Sequence, residues 1–296
     1  MKGKIKTHIG LGRFFALPAC VCAVLLGIAL GGHWSWLSAM VVLGAIFQMA
    51  YAHSFNTLLD YSWTGLDKGT EEERSRGKVY TKAQQPIAAG ILTPKEVLAN
   101  GLIYLAISAI FIGIVAWKVS PLIWAIWGVT ALCTFWYSYG KLHYQCELAL
   151  GMGFGPFAVM IGMASQPNPD FLAAFLAGIP FLILWGFAAE FVDQATDAEP
   201  NWPRGLRNLG ALAWKNNVSV PLFTGFLFSM AYLAQFALVA GGILAPLTGL
   251  SLIAFPLIAY GLLIMGNDFN KKGIVLLLLA IFVHMVAFTI GQIVGG

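Results

Sequence analysis

Nine mostly apolar stretches, each at or above the roughly 18 residues that read as a membrane-spanning helix, take up most of this chain of 296 residues. They run over roughly 11–32, 36–60, 95–117, 121–138, 147–165, 171–192, 217–241, 245–266 and 272–293. A chain in hydrocarbon must satisfy its own backbone hydrogen bonds, and a helix does this within one segment. The predicted fold is therefore all-α, a membrane protein of nine transmembrane helices in a bundle. With 59% hydrophobic and 10% charged residues, little remains for a separate soluble part. Residues 1–296 are expected to form one transmembrane domain, with cap loops at about 61–94, 139–146 and 194–216.

The basic residues orient these spans. Nine crossings put alternate loops on opposite sides, and of the 17 Lys and Arg all but Lys118 fall at the N-terminus or in the loops after the even-numbered spans. Cytoplasmic loops carry such an excess. The expected N-terminus is cytoplasmic and the C-terminus lies opposite. A basic start followed by an apolar run also resembles a signal peptide, but the run is longer than usual and many spans follow, so a first span is expected. Cys20, Cys22, Cys133 and Cys146 fit no metal-binding spacing and read as packing residues. Capping signals mark Thr93-Pro94-Lys95-Glu96, Ser120-Pro121 and Asn168-Pro169 as helix starts. Trp34, Trp36, Trp117 and Trp202 lie near span ends, as interfacial anchors do. One acidic cluster ends span two and another span six, which suggests two related four-helix halves plus a ninth helix.

Those acids are costly next to hydrocarbon, about 2.5–3.5 kcal/mol each at mid-bilayer. The first motif is Asn56-x3-Asp60-x6-Asp67, with Gly65 placed to let the chain bend back. The second is Glu190, Asp193 and Asp197. Residues four apart share a helix face. Mg²⁺ prefers oxygen ligands and usually takes one or two carboxylates plus substrate phosphates, so Asn56, Asp60, Asp67, Asp193 and Asp197 are the candidate metal ligands. Acids at a helix C-terminus oppose its dipole, a conflict that a bound cation relieves. Lys78, Lys82, Lys141, Arg204 and Arg207 could pair with a diphosphate, although the positive-inside rule alone accounts for many basic residues there. Glu71-Glu72-Glu73 reads as a solvated face. The stretch Tyr137 to Glu147 adds aromatics whose faces can stabilise a cation, and Gly151, Gly153 and Gly155 follow it, allowing close approach of a backbone or lipid chain.

Together these motifs resemble the UbiA superfamily of intramembrane prenyltransferases, over nearly the whole chain. The resemblance implies nine helices bundled around a central cavity, with the active site on the cytoplasmic side, and two Asp-rich motifs that bind Mg²⁺ and an isoprenyl diphosphate. The Asn56-x3-Asp60-x6-Asp67 spacing looks more like the 1,4-dihydroxy-2-naphthoate (menaquinone) and UBIAD-type branch than the 4-hydroxybenzoate branch. Gln85-Pro-Ile-Ala-Ala-Gly90-Ile-Leu-Thr93 resembles the family's segment opening helix three, but Gln85 stands where an Arg is usual. The second motif departs from the family's short Asp-x3-Asp-x3-Gly-Lys-x-Thr run.

The expected function is thus Mg²⁺-dependent transfer of an isoprenyl group from a polyprenyl diphosphate to a lipophilic or aromatic acceptor in the bilayer, as in menaquinone-like quinone synthesis. Asp60, Asp193, Tyr139 and Lys141 are expected to be catalytic; Asn56, Lys78, Lys82, Arg204 and Arg207 to bind the diphosphate. Other acceptors (a glyceryl phosphate, 4-hydroxybenzoate, haem or a chlorophyll precursor) use the same chemistry. A secondary transporter also uses intramembrane acids, but here the acids sit at span ends on one side. No nucleic-acid or protein partner is implied.

Overall fold

The computed structural model describes residues 2–68 and 85–296. Among these residues there is no β-strand, and nine helices are long and apolar enough to cross a membrane. They are α1 (Lys4–Gly31), α2 (Trp36–Ser62), α3 (Pro94–Lys118), α4 (Leu122–Gly140), α5 (Cys146–Met163), α6 (Phe171–Thr196), α7 (Val220–Ala240), α8 (Pro246–Met265) and α9 (Lys271–Gly295). The expected spans are found with shifted ends. The largest shifts are at α1, which reaches back to Lys4, and at α6, which runs on to Thr196 and so holds Asp193 inside the helix.

Local chemistry sets the ends. The Thr93 hydroxyl accepts from the Glu96 amide at 3.2 Å while Glu96 accepts from the Thr93 amide at 2.7 Å, which is the expected capping box. Ser120 caps the Leu122 amide at 3.3 Å. At α6 the cap is Asp170, accepting from Ala173 at 2.9 Å, and not the expected Asn168.

Helices α1, α5 and α6 each depart from a continuous α-helix. Helix α1 breaks at Arg13, which adopts a left-handed φ of 46°. Helix α5 breaks at Gly155, ahead of Pro156. Helix α6 widens into π-turns over Leu182–Ala189, directly before Glu190; such widening is frequent at functional sites.

Close backbone packing holds α1 to α5. A Cβ on Gly27 would stand 2.0 Å from the Val159 carbonyl oxygen, and one on Gly162 would stand 2.0 Å from that of Val24. Lipid offers no hydrophobic drive between helices, so contact this close replaces it. Gly151 and Gly155 similarly meet the α6 backbone. At the end of the bundle carrying the acidic motifs, the loops after α4 and α6 are joined. The Arg207 amide donates to the Lys141 carbonyl (2.6 Å) and the Tyr144 amide to the Arg207 carbonyl (2.7 Å). Buried Glu147 accepts from the Leu209 amide at 2.7 Å. This puts a negative charge at the N-terminus of the helix Leu209–Lys215.

Candidate active site

Helix periodicity places His53, Asn56 and Asp60 on one face of α2. Asn56 and Asp60 are both buried, at 7% and 3% exposure. The Asn56 Oδ1 accepts from the Ser138 hydroxyl of α4 at 3.2 Å. One Asp60 oxygen, Oδ2, takes the Lys141 ammonium at 2.5 Å. The other, Oδ1, is buried with no hydrogen-bond partner. The Lys141 Nζ also stands 4.6 Å from the centre of the Tyr137 ring. Gly65 has the expected positive φ, 73°, and the Asp67 amide returns to the Asp60 carbonyl at 3.1 Å. The Asp67 carboxylate receives the Gln85 amide at 3.2 Å, a neutral donor.

On α6, the Glu190 Oε1 accepts from the Tyr137 hydroxyl at 2.6 Å and from Gln194 at 2.5 Å. Gln194 in turn accepts from Asn208 at 2.9 Å, whose own oxygen caps the Ala211 amide at 2.8 Å. This buried chain ties α4 and α6 to the helix Leu209–Lys215.

The two motifs share a cavity. Asn56 and Asp193 both line it, with Arg13, His53, Tyr137 and Glu190. The remaining walls are largely apolar, including Met49, Phe154, Trp185 and Leu278. The cavity encloses about 150 Å³. Carboxylate and carboxamide oxygens, a guanidinium and adjoining apolar walls suit an amphiphile with an anionic head. Among the described residues no three His, Cys, Asp or Glu side chains gather as a ready-made metal cage. The donors are spread instead: Asn56 and Asp193 lie on the cavity wall, and Asp60, one turn beyond Asn56 and off the wall, keeps a buried oxygen without a partner. Such a set fits Mg²⁺, which keeps several waters and leans on one or two carboxylates.

Several expected residues are placed elsewhere. Tyr139 is 43% exposed and stacks on His143 with ring centres 4.0 Å apart; it does not line the cavity. Positions 137 and 139 lie about 200° apart around a helix, so Tyr137 faces inward and Tyr139 outward. Arg207 donates to the carbonyls of Trp202 (2.9 Å) and Leu206 (2.8 Å) and lies over the Trp202 ring. Arg204 donates to Asn201 at 3.2 Å. Asp197 sits beyond α6, at the start of the short helix Ala198–Asn201. Lys78 and Lys82, like Glu71-Glu72-Glu73, fall outside the described residues. Cavity residues that sequence reasoning passed over are Arg13 and His53, and Tyr137 lines it where Tyr139 was expected. His53 precedes Asn56 by three, so the shared helix face was a usable signal. Arg13 is one of the N-terminal basic residues of the charge asymmetry; its position follows from the break in α1.

The sequence profile described as the UbiA prenyltransferase family matches residues 15–273. Solved structures with the same fold include a UbiA homologue from Aeropyrum pernix K1, with a TM-score of 0.73, 15% identity and coverage of 94% of this chain and 98% of that one. A digeranylgeranylglyceryl phosphate synthase in membranes has a TM-score of 0.64 at 17% identity, covering 99% of both chains. A UbiA homologue from Archaeoglobus fulgidus bound to DMAPP and Mg²⁺ has a TM-score of 0.58 at 14% identity, covering 96% of this chain and 99% of that one. No curated protein sequence matches the chain.

Proposed function

The chain belongs to the UbiA prenyltransferase family, and from that premise we propose that it transfers an isoprenyl group from a prenyl diphosphate to a lipophilic aromatic acceptor, with Mg²⁺, inside the bilayer. The observation that carries this reading is the convergence of Asn56 and Asp193, from two motifs far apart in the chain, on one cavity with apolar walls. The Archaeoglobus fulgidus homologue bound to DMAPP and Mg²⁺ supports the donor class and the cofactor. The N-terminus and the motif end are read as cytoplasmic.

Asn56, Asp60 and Asp193 would hold Mg²⁺, with Asp67 and Asp197 included on motif grounds. When bound, the ion neutralises charge on the leaving diphosphate. Lys141, whose ammonium is held on Asp60, and Arg204 from the second loop would pair with diphosphate oxygens on motif grounds. The carbon–oxygen bond at the allylic carbon breaks with its electron pair on the diphosphate. A nucleophilic atom of the acceptor forms the new bond and the acceptor loses a proton. The Tyr137, Phe154 and Trp185 rings border the space in which the allylic carbon gains positive charge, where aromatic faces stabilise it. The apolar walls take the prenyl chain and exclude water.

The Asn56 to Asp67 spacing, through its resemblance to the naphthoate branch, favours a naphthoate-type acceptor, as in menaquinone synthesis, and the Arg13 guanidinium on the cavity wall suits its acidic substituent. A prenylated glyceryl phosphate is the second reading, supported by the likeness to the digeranylgeranylglyceryl phosphate synthase. Purified protein given labelled geranylgeranyl diphosphate, Mg²⁺ and each acceptor should prenylate one of them. Undiminished product from Asp60→Ala or Asp193→Ala would defeat the assigned roles.

A further inference from the structure

Hydroxyls on the membrane helices of this chain commonly bond back one turn: Ser54 to Ala50 (2.9 Å), Thr57 to His53 (3.0 Å), Thr130 to Ile126 (2.8 Å) and Ser229 to Gly225 (3.0 Å). That local bond is the default for Ser and Thr inside a helix. Thr224 of α7 breaks the pattern. It is 1% exposed, and its Oγ1 has no partner at all. Leaving a buried hydroxyl unpaired is unfavourable.

The hydroxyl lines a second, smaller cavity between α6, α7 and α9. Asp193 and Thr196 line the same cavity, and its other walls are apolar. Asp193 and Leu278 also wall the main cavity, so the small one lies directly behind the second acidic motif. Thr196 donates to the Asp193 carbonyl at 2.7 Å, and its oxygen keeps capacity to accept. The space is about 30 Å³. That is too small for an isoprene unit, while a buried water needs about 10–15 Å³ and two to four polar partners.

We propose that this second cavity is a hydration site: two ordered waters held by the Thr224 and Thr196 hydroxyls and the Asp193 carboxylate, making Thr224 a positioning residue for Asp193. The waters satisfy Thr224 and fix the carboxylate from behind while its front faces the main cavity. The positioning role rests on the reading of Asp193 as a residue of the diphosphate site.

Thr224→Val keeps the shape and removes the hydroxyl, and the sign of its effect on thermal unfolding decides between a wet and a dry cavity. In a wet cavity it strips an anchor from the waters and lowers Tm. In a dry one it deletes an unsatisfied polar group and raises Tm. We expect a lower Tm. We also expect the Mg²⁺ concentration for half-maximal turnover to rise about tenfold, as on losing a group that orients a metal ligand. Thr224→Ser, which keeps the hydroxyl, should restore the Mg²⁺ dependence. A raised Tm in Thr224→Val, or equal Mg²⁺ dependence in the Val and Ser variants, overturns the proposal. If Asp193→Ala retains turnover, the underlying reading of Asp193 fails and the positioning role falls with it, while the Tm comparison still tests the waters.

Discussion

Replacing Lys141 by Met tests whether the buried pair with Asp60 holds the motif end of the bundle together. Both side chains are almost wholly shielded, at 6% and 4% exposure, and the ammonium meets Oδ2 at 2.5 Å. At an effective dielectric near 20, charges at that separation attract by roughly 7 kcal/mol. Desolvation of both ions opposes most of this, so the pair itself is worth far less. Methionine keeps the length of the stem but leaves the Asp60 carboxylate buried without its counter-charge. Its other oxygen has no partner to share the load. Breaking one side of a buried pair costs about 3–5 kcal/mol. The assay is thermal or denaturant unfolding in detergent, followed by fluorescence of the tryptophans. The companion variant is Asp60→Asn in the Lys141→Met background, which removes the stranded charge. It should recover most of the loss, giving a coupling well outside the additive range of about 0.3–0.5 kcal/mol. A Lys141→Met loss below about 1 kcal/mol, or a double variant no more stable than the single, would refute the argument that this pair is sealed from water.

Other outcomes are open to direct measurement. Tyr137→Phe removes the hydroxyl that donates to Glu190 at 2.6 Å and should cost about 1.5–3 kcal/mol, the range for hydrogen bonds to charged groups; unchanged unfolding would show that water takes the place of that hydroxyl. Gly162→Val forces a side chain into the Val24 carbonyl and should cost about 3 kcal/mol or more, visible as loss of folded protein on size-exclusion chromatography, whereas Gly10→Val meets open space and should leave the yield unchanged. Glu147→Gln weakens the charge at the N-terminus of Leu209–Lys215 and should cost about 0.3–2 kcal/mol, read by hydrogen exchange of that segment. Chelating Mg²⁺ should abolish prenyl transfer, and Asp193→Ala should lower turnover by about 10²–10³-fold, the usual scale for one preorganised electrostatic contact.

Much of this architecture was readable before any coordinates. Apolar length counts spans because a bilayer admits little else, and the same energetics make acids at span ends conspicuous. The first motif was legible to the level of geometry: four-residue spacing put Asn56 and Asp60 on one face, and Gly65 indeed takes the left-handed turn that returns Asp67 to Asp60. Reading failed where the answer depended on which way a helix is rotated. Within Tyr137-Ser-Tyr139 either ring could have faced the cavity, and only packing against α6, where Glu190 takes the Tyr137 hydroxyl, selects one.

Sequence alone thus determined the number of helices, their approximate ends and the two acidic motifs, because these follow from local composition and the solvent around it. Tertiary structure alone decided that Asn56 and Asp193 share a cavity, that Lys141 neutralises Asp60, and that Arg13 and His53 join the wall. Those pairings join segments distant in the chain. They depend on helix rotation, on the break at Arg13 and on the π-turns before Glu190, and one chain's residue spacing encodes none of these.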